Sequence, residues 1–172
     1  MKKSESPHVG CYEDSILVLG YGNELRGDDA VGPRVAAAVA EWKLAGVQTL
    51  SVHQLTPELA DPISRAQAVI FVDAAVSPGI KESTVVSLEP TGESELAAHT
   101  SDPRTLLALA LALFGRCPPA WLIQIPVEHF ELGQPLSATA TRGVAAALES
   151  IHKLIQASSV GHAADNSDSP RK

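Results

Sequence analysis

Cysteine is scarce in this 172-residue chain. The two thiols, Cys11 and Cys117, cannot build a disulfide framework, and neither sits in a CxxC or Cys/His spacing suited to a metal. They read as reduced thiols of a cytoplasmic protein. Positive charge is also short: 13 Lys and Arg against 20 Asp and Glu give a net charge of −7. A surface that follows nucleic-acid phosphates needs clustered cations, so a nucleic-acid partner is not expected. No apolar run reaches the ~18–20 residues of a membrane helix. The opening Met-Lys-Lys-Ser-Glu-Ser-Pro has no apolar secretory core, so neither a membrane nor export is expected. Missing too are the GxSxG elbow of serine hydrolases and the HExxH pair of zinc proteases. Neither cysteine has a histidine and an acid in a suggestive context. The catalytic group of any hydrolase encoded here therefore stays unassigned.

What is present is an ordinary globular composition, 45% apolar and 19% charged, long enough for one domain with a real core. Residues 1–13 are polar and read as a flexible arm. Residues 157–172 are small and polar and read as a disordered tail. Residues 14–156 between them form a single α/β domain. Ile16–Leu19 and Ala68–Val72 are continuous apolar runs, the pattern of parallel strands covered on both faces. Val47–Val52, Thr84–Leu88 and Trp121–Ile125 are further strands. Val31, Val35, Val39 and Trp42 make the stripe of a first helix, with Pro33 in its first turn and Gly46 ending it. Pro57–Ile63 is a short helix. Asp102-Pro103 caps a Leu/Ala-rich helix over 105–114, and Ser137 caps a last one with the stripe Val144, Leu148, Ile151 and Ile155. This rhythm predicts a three-layer α/β/α sandwich with a mainly parallel, twisted sheet.

The most informative segment is Ser15-Ile-Leu-Val-Leu-Gly-Tyr-Gly-Asn-Glu-Leu-Arg-Gly-Asp-Asp-Ala-Val-Gly32. A strand enters a turn built on Gly20, Gly22, Asn23 and Gly27, and a helix follows near Gly32. Such a connection is where α/β proteins place ligands. It resembles a dinucleotide loop, but the third fingerprint glycine is replaced by Leu25, and the two adjacent acids would repel a phosphate and attract a cation. Asp28 fits a helix cap at the positive end of the helix dipole. One cap needs only one carboxylate, so Asp29 is the better ligand candidate.

Asp73 directly follows Val-Ile-Phe-Val at the carboxyl end of its strand, facing the same crevice. A turn-forming Asx residue is the plainer alternative. His99 precedes the Leu/Ala helix. A lone loop histidine is more often a surface residue, and its weight comes from its company: Asp29, Asp73 and His99 fall on three loops expected at one rim. Two carboxylates and an imidazole suit nickel or zinc better than magnesium or calcium. His53 ends the second strand on that rim and could line the site. His8, His129, His152 and His162 are scattered, and Glu128-His129 reads as a structured loop.

These residues resemble the hydrogenase maturation proteases, endopeptidases that process the large subunit of nickel–iron hydrogenases. Gly22-Asn23-x-Leu25-x-x-Asp28-Asp29-x-x-Gly32, Val72-Asp73-Ala74, His99, and Ile125-Pro-Val-Glu-His-Phe-Glu-Leu-Gly-Gln-Pro-Leu-Ser137 carry the likeness. It spans roughly residues 15–155. The resemblance implies that Asp29, Asp73 and His99 grip nickel already inserted in the precursor large subunit, after which its C-terminal peptide is cut off. The nickel would be the substrate's own, and zinc or cadmium could stand in. The loop His53-Gln54-Leu55 resembles the branch serving NAD(P)-coupled bidirectional hydrogenases, which implies a substrate-binding role there. The implied enzyme is cytoplasmic and monomeric. Two other functions stay open on the residues alone: a non-catalytic module that senses nickel in the immature subunit, and a dinucleotide-binding domain.

Overall fold

The computed structural model describes residues 15–76, 82–92 and 102–163, with side chains to Ser158. Five strands, β1 (Ile16–Tyr21), β2 (Val47–Val52), β3 (Ala68–Ala75), β4 (Thr84–Leu88) and β5 (Ala120–Pro126), form one sheet in the order β2-β1-β3-β5-β4. All are parallel except β4, which runs antiparallel to β5 on the edge.

Side chains alternate across a strand, so a strand covered on both faces must be apolar at every position. Ile16, Val18, Ile70 and Val72 pack on one face against α1 (Val31–Glu41) and α4 (Ala138–Ala163). Leu17, Leu19, Val69 and Phe71 pack on the other against α2 (Ala60–Arg65) and α3 (Pro103–Phe114). The result is the three-layer α/β/α sandwich that the sequence predicts.

The helix boundaries follow from local chemistry. The Asp102 side chain accepts from the Arg104 N–H at 2.8 Å, Pro103 opens α3, and Gly115 closes it at φ +70°. The Ser137 hydroxyl accepts from the Ala140 N–H at 3.0 Å at the start of α4. The apolar stripe of α1 is Val31, Val35 and Val39, with half-buried Trp42 at its end. Among the described residues no helix is long and apolar enough to cross a membrane.

Three expectations change. β3 does not stop at Val72 but continues to Ala75, because β5 still pairs with it through Asp73, Ala74 and Ala75. Asp73 is therefore a strand residue rather than a loop residue. α4 continues to Ala163, so residues 157–163 are helix rather than tail. Small residues such as Ala157 permit this, and the Ser158 hydroxyl returns to the Leu154 carbonyl at 3.0 Å. Finally, the helix after β1 is preceded by a single 3-10 turn over Gly27–Ala30.

Strand order positions the site. β1 lies between β2 and β3, so the chain leaves β1 toward one side and later returns on the other. The carboxyl ends of β1 and β3 thus flank the reversal point of a doubly wound sheet, the place where such folds open a crevice.

Candidate functional site

Tyr21 ends β1, and Gly22 turns the chain at φ +138°. An L side chain at Gly22 would be strained, and its Cβ would overlap the Asp29 carbonyl. Asn23 organises the turn. Its side-chain oxygen accepts from the Leu25 N–H at 2.9 Å, and its own N–H donates to the Asp29 carboxylate at 2.9 Å. Asp29 is thus held at the rim by its own loop. The head of α1 is pressed onto β1 at Gly20 and Gly32: a Cβ at Gly20 would overlap the Gly32 carbonyl, and one at Gly32 would overlap the Tyr21 backbone. Gly27 lies against the His129 ring.

Asp28 does not cap its helix, since neither the 3-10 turn nor α1 has a side-chain cap. It is fully buried and points the other way. Its carboxylate accepts the N–H groups of Glu128 at 2.8 Å, Ser137 at 2.6 Å and His129 at 3.4 Å, while its own N–H donates to the His129 carbonyl at 3.1 Å. Burial alone would raise its pKa. These donors, with the Ser137 hydroxyl, outweigh burial and hold it below the ordinary carboxylate value. The Gly133 N–H adds a bond to the Leu25 carbonyl at 2.9 Å. The 128–137 loop is therefore fastened to the Asp29 loop, and Leu25 (69% exposed) and Leu132 (74% exposed) stand on that joined surface.

Asp73 lies near the carboxyl end of β3, the strand beside β1. Its Oδ1 accepts from the Ala74 N–H at 2.8 Å, and the Tyr21 phenol lies close to the carboxylate. Burial pushes its pKa up to about 6 and the Asp29 charge pushes the same way, while the Tyr21 hydroxyl and the Ala74 N–H pull it back. The Tyr21 phenol is driven well above its usual value, first by burial and then by the charges of Asp73 and Asp102. Asp102 heads α3, so the start of that helix returns to the same rim.

Of the trio singled out in the sequence, the fold brings Asp29 and Asp73 within electrostatic reach. His99 lies outside the described residues, and among those residues no group of three or more His, Cys, Asp or Glu is arranged to hold a metal ion. β4 is antiparallel, with Leu88 opposite Ala120 at the amino end of β5, so the connection to α3 starts at the far end of the sheet.

His53 and Gln54 are exposed just beyond β2. His53, with Asn23, Leu25, Pro33 and Val52, lines a cleft of about 290 Å³ beside the Asp29 loop. Leu55 is corrected: at 3% exposure it belongs to the core packed by α2 and α3 and cannot contact a substrate. Its burial follows from the helical turn at Pro57, which folds the segment back onto the sheet. Tyr21 was missed, although an aromatic with a polar tip between two glycines at a strand end is a signal for it. The donors that fasten Asp28 carry no local signal, since they lie 100 to 109 residues away.

No family model matches the chain. Solved structures do. The hydrogenase maturating endopeptidase HybD from E. coli superposes with a TM-score of 0.66 at 25% identity, covering 84% of this chain and 93% of its own. The [NiFe] hydrogenase maturation protease HybD from Thermococcus kodakarensis gives 0.64 at 28% identity, covering 81% and 98%. A hydrogenase 2 maturation peptidase from Thaumarchaeota archaeon SCGC_AB-539-E09, 22% identical, shares the fold with a TM-score of 0.62 over 82% and 97%. A 59-residue stretch, 34% of the chain, is 36% identical to acetylglutamate kinase of Chelativorans sp. (strain BNC1). The match covers 20% of that protein's length and carries no inference about the whole chain.

Proposed function

We infer that this peptidase, a member of the hydrogenase maturation protease family, removes the C-terminal peptide of a hydrogenase large-subunit precursor and does so by recognising the nickel already inserted in it. The observation that carries the reading is the pair of carboxylates at the reversal point. Asp29 lies on the 3-10 turn that follows β1 and Asp73 on the neighbouring β3, and the Asp29 charge helps to raise the pKa of Asp73. Both are oriented by hydrogen bonds, yet neither is neutralised by a cationic side chain in the interactions resolved for it. A divalent cation would relieve that repulsion and be held by it.

His99 supplies the third ligand in this reading, from the segment that leads into Asp102. Nickel is part of the substrate rather than a resident cofactor. A nickel-free precursor meets two facing negative charges and docks poorly; a nickel-loaded one bridges enzyme and substrate. The exposed Leu25 and Leu132 and the cleft with His53 offer the surrounding protein surface for the precursor, with Gln54 at its edge.

The test is a processing assay on purified precursor, read by mass spectrometry. The nickel-loaded form should lose a short C-terminal peptide and the nickel-free form should not. Equal cleavage of both overturns the nickel-recognition reading. Asp29→Ala and His99→Ala should stop processing while thermal unfolding stays within a few degrees of the unmodified protein.

A further inference from the structure

We propose that the cleft between α4 and the start of β4 is a subsite for the C-terminal segment of the precursor, with Arg142 pairing a carboxylate of that segment. The proposal rests on the peptide-removal reading above and adds where the departing peptide lies.

The cleft has a volume of about 380 Å³, larger than the one beside His53, and its lining includes Glu82, Ser83, Pro126, Thr139, Arg142 and Gly143. That volume falls in the range of ligand sites. Pro126 is the last residue of β5, so the cleft opens at the carboxyl end of the parallel strands, the end that carries Asp73. Gln124 of β5 is the register partner of both Asp73 and Thr84. Asp73 and Thr84 are therefore two strand spacings apart, about 10 Å. Ser83, beside Thr84, donates its hydroxyl to the Gly143 carbonyl of α4 at 2.9 Å. An extended chain anchored at Asp73 covers this span in roughly three or four residues.

The cleft has the chemistry for a carboxylate. Nη2 of Arg142 donates to the Thr139 hydroxyl at 3.1 Å, and that hydroxyl donates to the Glu128 carboxylate. The Glu128 N–H in turn donates to Asp28, so the guanidinium is tied to the loop that is fastened beneath Asp29. Arg142 has no carboxylate at ion-pair distance among the described residues. Most of its five N–H donors stay available, in a fork that matches a carboxylate. The chain as a whole carries a charge of −7, so an acidic ligand needs such a local cation. Glu82 narrows the choice further. It would repel a bare anion such as phosphate, whereas an extended peptide can give it a backbone N–H beside the carboxylate that Arg142 takes.

A synthetic peptide of the precursor's C-terminal segment is titrated into the full-length ¹⁵N-labelled protein. One version has free carboxyl groups and the other has all of them as amides. The free acid should shift the Ser83, Arg142 and Gly143 signals and bind about tenfold more tightly than the amide. Arg142 is exposed on α4, so replacing it leaves the core intact. Arg142→Ala should erase the difference between the two peptides, and Arg142→Glu should invert it. In processing, Arg142→Ala should raise KM with kcat nearly unchanged. Inorganic phosphate should leave the three signals unmoved.

No binding of the free acid, equal binding of acid and amide, or an Arg142→Ala variant that keeps the preference overturns the proposal. Phosphate binding as tightly as the peptide also overturns it, since the cleft is then a plain anion site. Failure of the nickel reading looks different: nickel-loaded and nickel-free precursors are cleaved equally while the peptide still occupies the cleft.

Discussion

Asp28 and Asp29 are neighbours with opposite tasks. The side chain of Asp29 stays at the rim, and that of Asp28 runs inward to three N–H donors in a distant loop. Asp28→Asn would place an amide donor against those donors and should cost on the order of 3 kcal/mol, read from urea unfolding at neutral pH. The folded pKa of Asp28 is depressed, so its contribution is present above the unfolded carboxylate value and is lost as pH falls through the folded one. The difference between the variant and the parent should therefore shrink in acid. Asp73 has the opposite sign. Its folded pKa of about 6 lies above the ordinary value, so it lowers stability progressively between about pH 4 and pH 6 and remains a liability above that. Asp73→Asn should then be more stable than the parent at pH 7, by on the order of 1 kcal/mol, while losing processing activity. Processing by the parent should fall as pH drops below about 6. Much of this site is legible in the sequence, because an acid after an apolar strand and a glycine turn with two acids are local patterns. The roles of Asp28 and Tyr21 are not, since each depends on a partner brought near only by the fold.

At the scale of elements, strands are the most readable feature, because burial on both faces leaves runs such as Ile16–Leu19 with no polar residue to blur them. Helix cores read well for the same reason. Boundaries read poorly where tertiary pairing extends an element past its own signal, as β5 does for β3. The direction of β4 is also not written in its residues: Thr84–Leu88 is equally good as a parallel or an antiparallel edge. The closest helix–strand contact is the most exacting element-level feature. Gly32→Ala should destabilise by about 2–3 kcal/mol, because its Cβ meets the backbone of Tyr21 and the Val72 carbonyl rather than a movable side chain. Chemical denaturation with an unchanged m-value would check it. Since those backbones carry Tyr21 and lead into Asp73, the same variant should also weaken cadmium binding.

Over the whole molecule, α1 and α4 brace one face of the sheet and α2 and α3 the other, with Asp29 and Asp73 at the carboxyl ends of β1 and β3. A cation bound there should stabilise the entire fold by mass action. Cadmium at a hundredfold its Kd should add about 2.7 kcal/mol to unfolding, and the gain should vanish in Asp73→Asn. Comparing calorimetric melts with and without cadmium decides this. The fastening of Asp28 to Ser137 has a further consequence, in time rather than in space. Asp28 is synthesised well before its donors at 128, 129 and 137, which follow 100 to 109 residues later. Until then its charge has no place to be buried, so the loop that carries Asp29 cannot settle. A nascent chain can form β1, β2 and β3 and still lack a finished rim. The rim arrives late in synthesis, after the scaffold that holds it.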